Sequence, residues 1–119
     1  MARVIHFELN ADQPERAVQF YENVFNWQII KWDGPEDYWL IETGEVKQGI
    51  NGAIIKRRHP GETTVNTISV VDIEEFMEKI RKAGGKVLTE KMTIPGVGYV
   101  AYCQDTEGNT FGIIQDLQA

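Results

Sequence analysis

His6 and Glu8 stand two residues apart in a stretch that alternates. Ile5, Phe7 and Leu9 fall on one face and Val4, His6 and Glu8 on the other, the period-2 pattern of a half-buried strand. An imidazole and a carboxylate on one face of a strand can work as an acid–base pair, because the carboxylate tunes the ring's proton affinity. The same two residues would also serve as a satisfied polar pair with a purely structural role. Tyr38, Trp39, Tyr99 and Tyr102 suit the wall of a small-molecule pocket. They suit a strand core or a protein contact equally well, since Tyr and Trp keep one polar tip wet. Lys56-Arg57-Arg58-His59 is a short basic run and reads as a solvated loop before an anion site. Cys103 is the only cysteine, which excludes an intrachain disulfide and a cysteine-based zinc site. It reads as a small packing residue.

The chain that must position these groups has 119 residues, 42% hydrophobic and 25% charged. Its 12 basic and 18 acidic residues leave a net charge of −6. That is one globular domain's worth of chain. The acidic balance argues against nucleic acid and anionic membranes as partners, because both recruit Lys and Arg. The first residues lack the apolar core of a signal peptide, and no apolar run approaches the length of a membrane helix. A cytoplasmic protein is expected. Glycine-rich phosphate loops and a Gly-x-Ser-x-Gly elbow are missing.

The elements follow from periodicity and punctuation. After the strand at residues 3–9, Asp12-Gln13-Pro14-Glu15 has the spacing of a capping box with Pro in the first turn. Ala17, Phe20, Tyr21 and Val24 recur at helical spacing, and Asn26 suits a left-handed cap. Strands are expected near Trp27–Trp32, Tyr38–Thr43 and Ile50–Lys56. The pattern then restarts: a strand over Thr64–Val71, an Asp72-x-x-Glu75 cap, a helix ending at Gly84-Gly85, and strands near Lys86–Met92, Gly98–Gln104 and Thr110–Gln115. The chain therefore reads βαβββ–βαβββ.

An offset tests the repeat. Gly49-x-x-x-Ala53-Ile54-Ile55 matches Gly108-x-x-x-Gly112-Ile113-Ile114 at 108 − 49 = 59, and Ala17, Tyr21 and Val24 match Phe76, Ile80 and Ala83 at the same 59. The two caps differ by 60, a slip of one. Each copy is too small to bury its sheet alone, so the two are expected to pack together as one domain, with units at about 1–57 and 63–117. The repeat also overrules the hairpin reading of Asn51-Gly52 and places Asn51 in a strand, on the face of Ala53. The small Gly52, Ala53 and Gly112 signify either ligand space or close backbone packing.

These residues resemble the vicinal oxygen chelate superfamily, the glyoxalase, bleomycin-resistance and dioxygenase proteins. The resemblance is carried by Val4-Ile5-His6-Phe7-Glu8, Asp12-Gln13-Pro14-Glu15-Arg16-Ala17, Phe20-Tyr21 and Val24-Phe25-Asn26-Trp27. In the second copy it is carried by Glu78-Lys79-Ile80-Arg81-x-x-Gly84-Gly85 and Asp105-Thr106-Glu107-Gly108-Asn109-x-Phe111-Gly112. It implies an α+β fold in which tandem βαβββ units form a curved mixed sheet around a U-shaped cavity, and it implies a homodimer. It also implies four metal-ligand positions, one on the first and last strand of each unit. These fall on His6, Ala53, Val65 and Gly112, with Asn66 replacing Val65 if the register slips by one. Only His6 keeps the ligand type that the resemblance implies.

The resemblance and the missing donors together suggest a protein that binds a small organic ligand without the family's standard metal and without a cofactor. The expected ligand contacts are His6, Glu8, Trp39, Asn51, Thr67 and Tyr102. A second reading is a lyase, isomerase or dioxygenase-type enzyme using His6 and Glu8, with a divalent metal only if relocated ligands such as Glu8 or Glu42 hold it. A third is a dimeric interaction module without a ligand.

Overall fold

The helix beginning at Asp72 shows how the local rules are realised. Asp72 has extended backbone and its carboxylate accepts from the Glu75 N–H at 3.3 Å, satisfying one of the donors a helix start leaves open. Asp72→Ala is expected to cost about 0.5–2 kcal/mol, read from urea unfolding. The expected counterpart at Asp12 is not formed. The first helix is capped at Gln13 with no side-chain cap bond. Asp12 instead binds the Arg57 guanidinium at 2.9 Å. The helices start at Pro14 and Ile73, again 59 apart, so the one-residue slip belonged to Asp12 alone. Asn26 ends the first helix with φ of 60°, the left-handed cap its side chain tolerates.

The computed structural model describes residues 2–45 and 48–117. The fold is α+β. Its elements are β1 (Arg3–Ala11), α1 (Pro14–Phe25), β2 (Gln28–Lys31), β3 (Tyr38–Glu42), β4 (Asn51–Lys56), β5 (Thr64–Ser69), α2 (Ile73–Lys82), β6 (Lys86–Val87), β7 (Met92–Ile94), β8 (Gly98–Gln104) and β9 (Thr110–Asp116). They fall into two compact units, His6–Val65, and Asn66–Ala119 with Met1–Ile5. The single strand expected over Lys86–Met92 is two short strands, both paired to β8. The Leu88 and Thr89 N–H groups both converge on the Tyr102 carbonyl, a bulge-like arrangement that interrupts the ladder.

In the first unit β1 pairs parallel to β4, β4 antiparallel to β3, and β3 antiparallel to β2. One face carries Phe7, Leu9, Ala11, Trp39, Ile41 and Ile54, which pack with Ala17, Val18 and Tyr21 of α1. The second unit pairs β5 parallel to β9 and β9 antiparallel to β8. Its helix-side core is Val70, Ile73, Met77, Ala101, Cys103 and Ile113.

Cross-strand register shows the repeat directly. Glu8 lies opposite Ala53 and Thr67 opposite Gly112, both members shifted by 59. The third strand breaks this rule. Leu40 faces Ala53 while Tyr102 faces Gly112, a shift of 62. The split β6–β7 segment lengthens the second copy before β8, and a shorter turn after β8 restores the phase.

Candidate functional site

The face of the first unit turned away from α1 is assembled from alternate residues. Register places His6 beside Asn51, Glu8 beside Ala53, Leu40 beside Ala53, Tyr38 beside Ile55 and Ile30 beside Leu40. Tyr38 reaches across β4 to β1. Its hydroxyl donates to Glu8 Oε2 at 3.1 Å and stands 3.1 Å from His6 Nε2. Glu8 is 5% exposed, so its carboxylate relies on such partners instead of on bulk water. Asn51 Oδ1 accepts from the Thr43 N–H at 2.9 Å, which fixes its amide beside His6. Around this polar chain Ile30, Leu40 and Trp32 remain 70%, 44% and 37% exposed, a concentration of apolar surface beside a buried carboxylate. The Trp32 and Tyr38 rings meet edge-on with centroids 6.2 Å apart.

Environment sets the proton affinities. Burial lowers the His6 pKa below its usual value, and the Glu8 charge opposes this more weakly. Burial pushes the Tyr38 phenol well up, helped by the carboxylates of Glu8 and Glu36. Tyr38 is therefore a neutral donor at physiological pH. The His6 shift has a stability consequence. Below pH about 6.5 the unfolded chain takes up a proton on this histidine before the folded one does. Stability is therefore expected to fall as the pH drops from about 6.5 through the lower folded pKa, and to be flat in this contribution above it. The slope difference between wild type and His6→Gln over that window, from urea unfolding, isolates it.

The remaining sequence candidates divide. Asn51 lies on the same face as His6. Trp39, expected as a ligand contact, lies on the opposite face in the α1 core at 9% exposure, because its phase matches Ile41 and Ile54. Lys31 covers its ring at 5.4 Å. Tyr38 beside it, one of the four aromatics the sequence offered for a pocket wall, takes that place instead, since faces in this strand depend on its register with β4. In the second unit Thr67 and Tyr102 share a face, flanking Gly112, where an added Cβ would meet Thr67 Oγ1 at 3.2 Å. Tyr99 turns to the core and lies under Lys91 Nζ at 4.6 Å. At the repeat offsets the counterparts of His6, Glu8 and Tyr38 are Val65, Thr67 and Val100, so among the described residues the second copy does not reproduce the His–Tyr–Glu chain.

Other features are structural. A Cβ on Gly52 would collide with the Phe7 carbonyl oxygen, so this glycine marks close packing and not ligand space. Arg57 binds Asp12 and the carbonyls of Asn10 and Glu62, and Arg58 pairs with Glu36 at 3.3 Å. Two surface depressions of about 430 and 440 Å³ adjoin Arg57, one along Asn10, Arg16 and Phe20 and the other along Arg58 and His59. We take them as gaps around these ties, because Arg57, their shared cation, is already engaged. Asp105 accepts from the N–H groups of Glu107 and Asn109 and so holds the last turn. Cys103 is fully buried, and burial pushes its thiol up, which makes it inert.

The model of the glyoxalase/bleomycin resistance protein/dioxygenase superfamily matches residues 3–113. The chain belongs to this superfamily. A glyoxylase-like domain-containing protein of Didymella fabae is 30% identical, over 89% of this chain and 88% of its own length. Lactoylglutathione lyase GLX1 of Arabidopsis thaliana is 27% identical over 95% of this chain, which spans only 44% of that protein. Solved structures share the fold at low identity. A hypothetical protein from Bacillus halodurans C-125 superposes with TM-score 0.74 at 15% identity, covering 97% of this chain and 94% of its own. Methylmalonyl-CoA epimerase of Streptomyces coelicolor, in complex with 2-nitronate-propionyl-CoA, gives 0.72 at 12%, covering 97% and 94%. Of the four positions at which the superfamily resemblance puts metal ligands, Ala53, Val65 and Gly112 carry no donor atom. Among the described residues no group of three or more His, Cys, Asp or Glu side chains is placed to hold a metal ion. None of the described helices is long and apolar enough to cross a membrane.

Proposed function

We propose that this chain binds a small organic ligand on the face of the first unit turned away from α1, over His6, Tyr38 and Glu8, without the superfamily's standard divalent metal. The observation that carries the reading is the hydrogen-bonded chain from His6 through Tyr38 to the buried Glu8, set among exposed Ile30, Leu40 and Trp32. Ligand sites pair such apolar walls with a few fixed polar groups. The donor set does not fit a resident metal. Zinc and iron centres need three or four ligands, and here His6 stands alone at the superfamily positions with its Nε2 facing the Tyr38 hydroxyl. Elemental analysis after purification from metal-supplemented medium tests this. Substoichiometric metal is expected. One divalent ion per chain, lost in His6→Ala, would contradict it.

A second reading is favoured by the same chain of groups. A neutral histidine braced by a tyrosine and a carboxylate is the arrangement of an acid–base centre. The relatives include proteins named as a lyase and an epimerase. A lyase, isomerase or epimerase-type proton transfer with His6 as base follows from it. Turnover of hemithioacetals or acyl-CoA thioesters that is abolished in His6→Ala would establish it, and unchanged turnover in that variant would end it. The proposal includes a homodimer working in the cytoplasm, since β2 leaves an open edge in the first unit's sheet. A 13.6 kDa species alone in sedimentation at micromolar concentration would refute the dimer.

A further inference from the structure

The polar chain has a proton count that fixes its direction. The Tyr38 hydroxyl carries one hydrogen, and an ionised carboxylate can only accept, so that hydrogen lies on the 3.1 Å bond to Glu8 Oε2. The Tyr38 oxygen then meets His6 Nε2 at 3.1 Å as an acceptor. Two lone pairs cannot share that gap, so Nε2 must bring the hydrogen. A neutral imidazole has one N–H, which leaves the other nitrogen as a lone pair.

We propose that Tyr38 is a positioning residue that locks His6 in its Nε2–H tautomer and thereby makes Nδ1 the acceptor offered to the ligand. Among the described residues His6 makes no hydrogen bond through Nδ1. The ligand group that meets Nδ1 must therefore carry a hydrogen: a hydroxyl, an amide or ammonium N–H, or an acidic C–H. A carboxylate or a bare ether leaves the ring unsatisfied. The lock also engages Nε2, so a cation could reach that nitrogen only after Tyr38 swung away. The ligand half of this proposal rests on the binding reading above; the tautomer half does not.

Nitrogen-15 labelling of histidine tests both halves. The chain has two histidines, and exposed His59 serves as the internal reference for a ring averaging between tautomers. At pH 7.5, long-range proton–nitrogen correlation is expected to show His6 with a pyrrole-type Nε2 and a pyridine-type Nδ1, undivided. Tyr38→Phe is expected to move it toward the averaged His59 pattern. An Nδ1–H or doubly protonated His6, or a pattern unchanged in Tyr38→Phe, would overturn the lock while leaving ligand binding standing. Phenol and anisole then share one aromatic body with and without the donor. Phenol is expected to bind about tenfold tighter, the worth of one hydrogen bond. Equal binding with His6 signals moving in both would overturn the Nδ1 assignment alone. Neither compound moving any signal on this face would sink the binding reading and the ligand half with it.

Discussion

Ile54→Ala and Ile113→Ala are each expected to destabilise the protein by about 2–5 kcal/mol, as lowered urea midpoints with little change in slope. The two residues are counterparts at the repeat offset, and both are fully buried. Each sits on the helix side of its own unit, Ile54 among Ala11, Trp39 and Ile41, Ile113 among Ile73, Met77, Ala101 and Cys103. Truncation removes about three methylene equivalents of buried surface and leaves a cavity that strand-borne neighbours cannot close. Ile30→Ala is the control. Ile30 is 70% exposed on the opposite face, so its truncation should fall within about 0.5 kcal/mol of wild type. A large effect at Ile30 with none at Ile54 would mean that the faces of the first unit are reversed.

Tyr38→Phe is the second large effect. It keeps the ring against Trp32 and removes only the hydroxyl. Glu8, at 5% exposure, loses one donor, and His6 Nε2 loses its acceptor. A hydrogen bond to a charged group contributes about 1.5–3 kcal/mol, so a loss of that order is expected in urea unfolding. In Glu8→Leu/Tyr38→Phe the loss should be less than the sum of the singles, because each single removes the one bond that the two residues share. Strict additivity would show that the Tyr38–Glu8 contact contributes nothing.

The fold was legible because its signals are local and repeated. Period-2 alternation at β1, helical spacing at Ala17–Val24 and the Asp72 cap each follow from chain geometry alone, and a 59-residue offset ties the copies together. His6 and Glu8 were legible for the same reason, since residues two apart on a strand share a face. Tyr38 was not. Whether Tyr38 or Trp39 faces the polar pair is decided by how β3 registers on β4, and the third strands are displaced by 62, not 59, so the repeat carried no answer. The alternation of Trp39 and Ile41 in phase with Ile54 was the available clue. Asp12 misled for a different reason. Its spacing to Glu15 satisfies the capping pattern, but the Arg57 guanidinium at 2.9 Å competes for the same carboxylate. The split of β6 from β7 depends on the Tyr102 carbonyl, a partner distant in sequence.

On the proposed function, ligand is held over His6, Tyr38 and Glu8 without metal. Backbone proton–nitrogen spectra of chelator-treated protein, titrated with small aromatic hydroxyl compounds, test it most directly. The expected result is saturable shifts at His6–Glu8, Tyr38–Leu40 and Asn51–Ala53 that are lost in His6→Ala. Shifts confined to Arg16, Phe20 and Arg57, or binding that appears only after a divalent cation is added, would contradict it.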